Sequence, residues 1–319
     1  MAQVHMTVDP FHLGSLFSLR TLLTTLASGP RPMVRALRPL APADATAVLP
    51  GSFNPPTAAH LVLAERACAE GYGTVLFSLA RRTVGKDPGG LILEDRLMAL
   101  RAVSGDAFGV AACSHGLYVD QAEAIARAYP DTELCFLVGS DKVLQLFDDR
   151  WYPDRDAALE RFFSLACLIV ASRSDQADLL RTTLDAANNR RFADRVSVLR
   201  LHPAVSDTSS TRVRGLLRSG ADPVGLVPAG VARLLSETKA FAAPVVIDGD
   251  EVDAYQMRVR LIDLIWETRG IDGLDIDLHR LTTIALSPTA AGRRLRAMLA
   301  GGAVGVDDLM DAQSMAAGL

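Results

Sequence analysis

The sequence contains little that would indicate zinc binding, secretion or a membrane. Its four cysteines are far apart and form no CxxC pair or Cys/His cluster, so no zinc site is predicted, and all four are interpreted as buried thiols. The longest apolar run, FFSLACLIVA at 162–171, is too short to cross a bilayer. The first residues lack the basic stretch, clean apolar stretch and cleavage site of a secretory signal. We therefore expect a cytoplasmic protein with no membrane partner.

The sequence also lacks an excess of charge of one sign. It carries 33 basic and 37 acidic residues and a formal net charge of -4, which does not favour non-specific nucleic-acid binding. Lysine is scarce, because Lys86, Lys142 and Lys239 are the only lysines in a chain whose usual basic residue is arginine. The ammonium of Lys86, in RRTVGKDPGG, is a compact point charge of the kind that phosphate sites use.

Short β-rich runs alternate with amphipathic helical patterns from residue 45 onward, which predicts an α/β fold with a doubly wound parallel sheet. The predicted strands are 45–50, 74–79, 109–114, 133–139, 166–172 and 196–201. The predicted helices between them are 59–70, 93–103, 121–128, 158–163 and 178–188. We divide the chain into an N-terminal extension and linker (1–44), a main domain (45–242) and a helical C-terminal extension (243–319). The main domain is expected to fold without that last segment, which forms either a helical cap or a surface for a homo-oligomer.

The stretch GSFNPPTAAH, at 51–60, leaves the first predicted strand and enters a helix. Gly51 allows a ligand to approach the backbone, Pro55 stiffens the loop, and Thr57 is a candidate N-cap. The free amides of the helix N-terminus favour phosphate, and His60 lies one turn in, where its imidazole could donate to an anion. A polyphosphate site and an ordinary strand-to-helix turn explain this stretch about equally well.

Two further stretches follow predicted strands. In SDTSSTRVRGLLRSG, at 206–220, hydroxyls precede a helix and Arg214 lies on their helical face; the alternative is a capped basic surface helix. In ELCFLVGSDKVLQLFDDRWYP, at 133–153, Asp141 could accept hydrogen bonds from a ribose or simply cap a helix. Trp151 could stack on a flat ring or fill the core.

Together these stretches resemble the nicotinamide/nicotinate mononucleotide adenylyltransferases of the (H/T)xGH nucleotidyltransferase superfamily. GSFNPPTAAH is similar to that family's GSFNPxTxxH loop, TSSTRVR to its ISSTxxR signature, and FLVGSDKVLQLFDDRW to its GxD…W segment. The resemblance covers about residues 45–242. It departs from the family at Ala59, where a glycine is common, and at Ala122, where relatives place a second stacking aromatic. Tyr118 is a candidate substitute for that aromatic.

The resemblance implies a Rossmann-like fold and AMP transfer from ATP to a pyridine mononucleotide, with Mg²⁺ and release of pyrophosphate. It implies catalytic roles for His60, Lys86 and Arg214. The residues that it implies for ATP binding are Gly51, Ser52, Phe53, Thr57, His60, Gly139, Asp141, Ser209, Ser210, Thr211 and Arg214. Those that it implies for the mononucleotide are Ser52, Phe53, Lys86 and Trp151. No residue is assigned to a metal.

The chemistry agrees with this set of residues, because a mononucleotide phosphate is already a nucleophile at neutral pH and needs no general base. His60, Lys86, Arg214 and two helix N-termini would supply a positive field for the transferring phosphorus. Two alternatives remain open from the sequence. One is another nucleotidyltransferase, of the pantetheine-phosphate adenylyltransferase or cytidylyltransferase type; the other is a nucleotide-binding regulator without turnover.

Overall fold

The computed structural model describes residues 9–26, 29–85, 89–105, 107–172, 177–200, 208–268, 276–301 and 306–315. A sheet of seven strands has the order β1-β4-β3-β2-β5-β6-β7, in which all neighbours are parallel except β1 and β4. The strands are β1 Val34–Arg38, β2 Ala45–Gly51, β3 Thr74–Ala80, β4 Gly109–Cys113, β5 Glu133–Gly139, β6 Ala166–Ser172 and β7 Val196–Arg200. The six predicted strands are confirmed, with each end within one residue of its predicted position.

Helices cover both faces of the sheet, as the predicted α/β fold requires. In chain order they are α1 Leu13–Thr25, α2 Ala58–Ala69, α3 Leu93–Ser104, α4 Tyr118–Ala128, α5 Ser140–Leu146, α6 Arg155–Leu165 and α7 Ala177–Asp185. They continue as α8 Ser210–Arg218, α9 Ala229–Thr238, α10 Ala254–Glu267, α11 Leu278–Ala285, α12 Ala290–Gly301 and α13 Val306–Met315. Successive residues of a strand point to opposite faces, so Phe77 enters one core while Leu76 enters the other.

The strand β1 lies in the Pro- and Arg-rich stretch that we interpreted as a linker. It pairs antiparallel with β4, with Val34 opposite Cys113 and Arg35 opposite Ala112. Its side chains are half-buried or exposed, so it lacks the apolar pattern that identified the other strands. An edge strand needs only one hydrogen-bonded neighbour and can therefore form from such a sequence.

The two extensions pack against the main domain on one face of the sheet. Leu16 and Leu19 of α1 and Leu261 and Ile262 of α10 are at most 1% exposed, in the same core as Phe77. The apolar face of α10 is thus covered by this chain itself, as the predicted helical cap requires. A short hairpin, β8 Val245–Ile247 and β9 Asp250–Val252, precedes α10. The domain boundaries and the homo-oligomer stay predictions.

The cysteines differ from their interpretation as four free thiols. Cys135 and Cys167 occupy paired positions on the adjacent strands β5 and β6, and their sulfur atoms form a disulfide. Cys113 is a free buried thiol and Cys68 a free, partly buried one. Burial raises the pKa of the Cys113 thiol to about 12, so that thiol remains protonated and packs as a small hydrophobe.

The order of the strands places the crevice of the sheet between β2 and β5. The chain builds β2, β3 and β4 toward one edge and then crosses back to place β5 on the other side of β2. In such sheets ligands bind at the carboxyl ends of the strands where the order reverses. The loop that begins at Gly51 and the turn at Gly139 both leave the sheet there. None of the helices within the described ranges is both long and apolar enough to cross a membrane.

Candidate nucleotide site

Two motifs that are about 155 residues apart in the sequence meet at the crevice. The Ser210 hydroxyl, at the start of α8, donates to the Pro55 carbonyl at 2.8 Å. The Arg214 Nη1 donates to the Asn54 carbonyl, also at 2.8 Å. The N-termini of α2 and α8 therefore lie on the same loop. The Ala58 and His60 amides of α2 already donate to the carbonyls of Leu226 and Thr57, at 2.9 and 3.0 Å, so the start of α8 offers more amides to an anion.

The loop from Gly51 to Thr57 is supported by a buried aromatic ring. Phe53 is 1% exposed and has a positive φ of 45°, and its ring contacts that of His60 with centroids 5.1 Å apart. A Cβ added at Gly51 would lie 2.9 Å from the Phe53 ring. Glycine at position 51 thus makes room for Phe53. The ring of Phe53 is a support for the loop, so any ligand contact of this residue would come from its backbone.

His60 is held in one tautomer by the start of its own helix. The Thr57 N–H donates to His60 Nδ1 at 3.0 Å, so in the neutral ring the proton is on Nε2. Burial lowers the pKa of His60 to about 4, and the ring is neutral at pH 7. His60 is therefore a hydrogen-bond donor through Nε2 and does not add the positive charge that we expected from the sequence.

Thr57 is the N-cap of α2, as predicted, but its side chain is fully buried. Its hydroxyl lies 2.9 Å from His60 Nδ1, so it orients the imidazole together with the backbone amide. The hydroxyl is thus inaccessible to a nucleotide. A contact between Thr57 and ATP would be made by the backbone.

Asn54 connects three parts of the site and was missed by the sequence analysis. Its Nδ2 donates to the Gly89 carbonyl at 2.6 Å, its Oδ1 accepts from the Leu91 N–H at 3.0 Å, and its own carbonyl accepts from Arg214. The residue is 1% exposed. An asparagine before two prolines is typical of a turn, so nothing in the local pattern indicates that this side chain joins separate loops.

The second motif lies at the start of α8, and the roles of its residues in ATP binding stay predictions. Ser209 caps α8 by accepting from the Arg212 N–H at 3.2 Å. Arg214 Nη2 donates to the Thr211 hydroxyl at 3.1 Å, and burial lowers the pKa of Arg214 from its usual value. The hydroxyls of this motif and the Arg214 guanidinium lie together at the N-terminus of α8. The bond from Arg214 to the Asn54 carbonyl distinguishes α8 from a capped surface helix.

We expect Arg214→Lys to lower kcat/KM for ATP roughly tenfold although the charge is kept, because an ammonium cannot bond both the Asn54 carbonyl and the Thr211 hydroxyl with a planar fork. Steady-state kinetics of the purified variant measure this. Arg218→Lys is the matched control, because Arg218 is an exposed arginine of the same helix. Wild-type kinetics for Arg214→Lys would contradict this role of the planar Arg214 guanidinium.

The third motif is described in part. Gly139 ends β5 and precedes α5, which begins at Ser140, while the Asp141 side chain and Lys86 lie outside what the structure describes. The Trp151 ring lies over Gly85, where an added Cβ would be 2.7 Å from it. The predicted stacking residue therefore lies beside the segment that leads to Lys86. The roles of all these residues in binding stay predictions.

An open pocket of about 660 Å³ adjoins the loop at the carboxyl ends of β2 and β3. Ser52 and Tyr118 line it, whereas Ala122 is buried in the core, and the predicted contact of Ser52 with the mononucleotide stays a prediction. The other described residues that line it are Pro50, Gly51, Ala80, Thr83, Val84, Gly116, Leu117, Gln121, Lys142, Gln145, Leu146 and Tyr152. Lys142, Gln121 and Tyr152 were not predicted: Lys142 lies within the FLVGSDKVLQLFDDRW motif but is not one of the residues that define it, and Gln121 and Tyr152 lie outside the three motifs.

Comparison with known proteins assigns the fold and the motifs to a family. The sequence profile described as cytidylyltransferase-like matches residues 48–216, which is more than half of the chain. The chain belongs to the cytidylyltransferase-like family. It is a nucleotidyltransferase, and its substrates are nucleotides.

Several similar proteins carry adenylyltransferase names. A probable nicotinate-nucleotide adenylyltransferase of Geobacter sulfurreducens is 32% identical over 62% of this chain and 98% of its own length. A putative nicotinamide mononucleotide adenylyltransferase of Schizosaccharomyces pombe is 26% identical over 54% of this chain and 76% of its own length. The solved structure of Plasmodium falciparum nicotinic acid mononucleotide adenylyltransferase complexed with NaAD is 12% identical, with a TM-score of 0.47, over 62% of this chain and 97% of that one.

Proposed function

We propose that this nucleotidyltransferase transfers AMP from ATP to nicotinate mononucleotide, releases pyrophosphate and thereby serves NAD biosynthesis. The observation that carries the proposal is the junction of the two motifs, at which Ser210 and Arg214 of α8 bond the loop that leads to His60. Names of relatives such as the Geobacter sulfurreducens protein support the pyridine substrate. The resemblance of the three sequence motifs supports it independently.

The proposed mechanism uses alignment and electrostatics. The 5′-phosphate of the mononucleotide attacks the α-phosphorus of ATP, and the bond from that phosphorus to the bridging oxygen of the pyrophosphate breaks. Arg214 and the amides at the start of α2 and α8 stabilise the anionic phosphates. Neutral His60 donates its Nε2 proton in a hydrogen bond to a phosphate oxygen and keeps that proton throughout. The site thereby stabilises charge that develops as the leaving group departs.

We propose that Mg²⁺ enters with ATP. Hard divalent cations of this size are commonly held by substrate phosphates together with one or two protein groups. Within the described ranges, no group of three or more His, Cys, Asp or Glu side chains is arranged to hold a metal ion. The donor set at the junction consists of N–H groups and hydroxyls, which suits phosphate oxygens. The metal would neutralise part of the polyphosphate charge.

The charge of the pocket favours the acid form of the pyridine ring. Of the described residues that line the pocket, Lys142 alone carries a charge. Nicotinate has a carboxylate where nicotinamide has a neutral amide, so an ammonium in this pocket would bind the acid more tightly. We therefore propose that Lys142 helps to select the acid mononucleotide.

The experiment compares the two pyridine mononucleotides as substrates of the wild type and of Lys142→Gln. We expect the wild type to prefer the acid mononucleotide. Lys142→Gln should lower kcat/KM for the acid about tenfold, because one charge-assisted hydrogen bond is lost, and should change kcat/KM for the amide little. Lys239→Gln is the control, since Lys239 is an exposed lysine outside the pocket. An equal loss for both substrates would place Lys142 at their shared phosphate and contradict its role in selection.

A wider set of acceptors separates the other functions that the sequence left open. Turnover with a pantetheine phosphate, or of CTP in place of ATP, would identify another nucleotidyltransferase of the family. Tight ATP binding without turnover of any acceptor would indicate a regulator. Each of these outcomes would overturn the proposed function while leaving the family assignment intact.

A further inference from the structure

Tyr255 of α10 connects the C-terminal helices to the segment beside the nucleotide site. Its hydroxyl donates to Asp95 Oδ2 at 2.7 Å and accepts from the Ile92 N–H at 2.8 Å. Tyr255 is 3% exposed. A buried hydroxyl with both a donor and an acceptor partner is fixed in position, and it fixes the backbone amide that it accepts from.

Ile92 belongs to the segment that Asn54 holds at the site. The Leu91 N–H donates to Asn54 Oδ1 at 3.0 Å, and the Asn54 carbonyl accepts from Arg214 Nη1 at 2.8 Å. A continuous series of hydrogen bonds and one peptide linkage therefore runs from Tyr255 through Ile92, Leu91 and Asn54 to Arg214. Every member of this series apart from Arg214 and Ile92 is at least nine-tenths buried.

The far end of the series is anchored behind Tyr255. The Arg258 guanidinium, which is fully buried, bonds both oxygens of Asp95, at 2.8 and 2.9 Å, and also the carbonyl of Pro10. Charge-assisted bonds with two oxygens fix the plane of the Asp95 carboxylate. The carboxylate is thus a rigid acceptor for the Tyr255 hydroxyl. Because the hydroxyl proton is directed at Asp95, a lone pair of the oxygen faces the Ile92 N–H.

We propose that Tyr255 is a positioning residue for adenylyl transfer, which sets Arg214 and the Asn54–Pro55 loop in register through Ile92 and Leu91. This inference rests on the proposed function. It makes α10 part of the apparatus that aligns the phosphates, although the helix lies outside the stretch matched by the family profile. Alignment of phosphates is the main contribution that such a site makes to rate, so a small shift of Arg214 reduces turnover.

The test is Tyr255→Phe in the full-length chain, which keeps the ring in the core and removes only the hydroxyl. We expect kcat/KM for ATP to fall roughly tenfold, as for a modest misplacement of a binding group. We also expect the Ile92 amide to exchange its hydrogen faster. Thr282→Val is the matched control, since it removes a buried hydroxyl of α11 that bonds only within its helix, to the Leu278 carbonyl.

The two variants separate positioning from a loss of stability. If Tyr255→Phe matches Thr282→Val in stability, kcat, KM and Ile92 exchange, the proposal is overturned. The hydrogen-exchange arm also separates this proposal from the proposed function. If the wild type used no pyridine mononucleotide, the proposed function would fail. Faster Ile92 exchange and weaker ATP binding in Tyr255→Phe would even then support the positioning role of Tyr255. Unchanged Ile92 exchange and unchanged ATP binding would contradict that role.

Discussion

We expect His60→Ala to lower kcat by about 100- to 1,000-fold, which is the usual effect of removing one hydrogen-bond donor to charge that develops in the transition state. ATP affinity should change much less, because the amides of α2 and α8 and the Arg214 guanidinium remain. Stopped assays of pyrophosphate release give kcat, and equilibrium titration gives the affinity for ATP. A variant with near-normal kcat would reduce His60 to a structural partner of Phe53 and Thr57.

The pH dependence of His60 gives an independent check on its protonation state. Because burial lowers its pKa to about 4, the neutral donor persists well below the ordinary histidine value of 6.5. We expect kcat of the wild type to show no titration near pH 6.5. The depressed pKa also means that His60 contributes stability above pH 6.5, and that this contribution is lost as the pH falls toward 4. Because the substrate phosphate also has a pKa near 6, His60→Ala serves as the control, and a fall in kcat centred near pH 6.5 that this variant abolishes would contradict the neutral assignment.

Arg258→Ala should destabilise the protein by about 3–5 kcal/mol, because it leaves the Asp95 carboxylate buried without its charged partner. Both side chains of this pair are fully buried, and their closest contact is 2.8 Å. Denaturant unfolding of the full-length chain measures the change. Arg293→Ala is the matched control; its ion pair with Asp248 is largely exposed and should be worth less than about 1 kcal/mol.

The same pair bears on the role of the C-terminal helices. From the sequence we expected the main domain to fold without residues 243–319. That expectation stays a prediction, and the deletion would take Arg258 and Tyr255 away from Asp95 and uncover the core around Leu16. Denaturant unfolding of a chain that ends at residue 242 tests the expectation directly: cooperative unfolding with near-wild-type stability would uphold it, and an unfolded or aggregating product would contradict it.

The sequence predicted the sheet closely because its central strands are buried on both faces and read as apolar runs, and because the edge strand β7 keeps a β-branched, apolar pattern although Val198 is 52% exposed. β5, for example, was placed at 133–139 by that pattern alone. β1 was missed because it has one neighbour and half-exposed side chains. The Cys135–Cys167 disulfide was missed because two cysteines 32 residues apart face each other only when β5 and β6 pair in this register.

The site was predictable where one residue acts through its type and local position, and less so where function depends on tertiary contacts. The cap at Thr57 and the hydroxyls before α8 follow from helix chemistry. The burial of Phe53 and the connections of Asn54 depend on loops that the sequence does not show as neighbours. The neutral state of His60 depends on burial, which no short motif specifies.

Adenylyl transfer by this protein would be seen in the products that the wild type forms from ATP, Mg²⁺ and nicotinate mononucleotide. We predict a dinucleotide and pyrophosphate in equal amounts, because the mononucleotide phosphate attacks the α-phosphorus. Quantitative chromatography of the nucleotides together with an enzymatic pyrophosphate assay measures both. Folded protein that binds ATP but yields no dinucleotide, or that yields ADP and orthophosphate instead, would contradict the account.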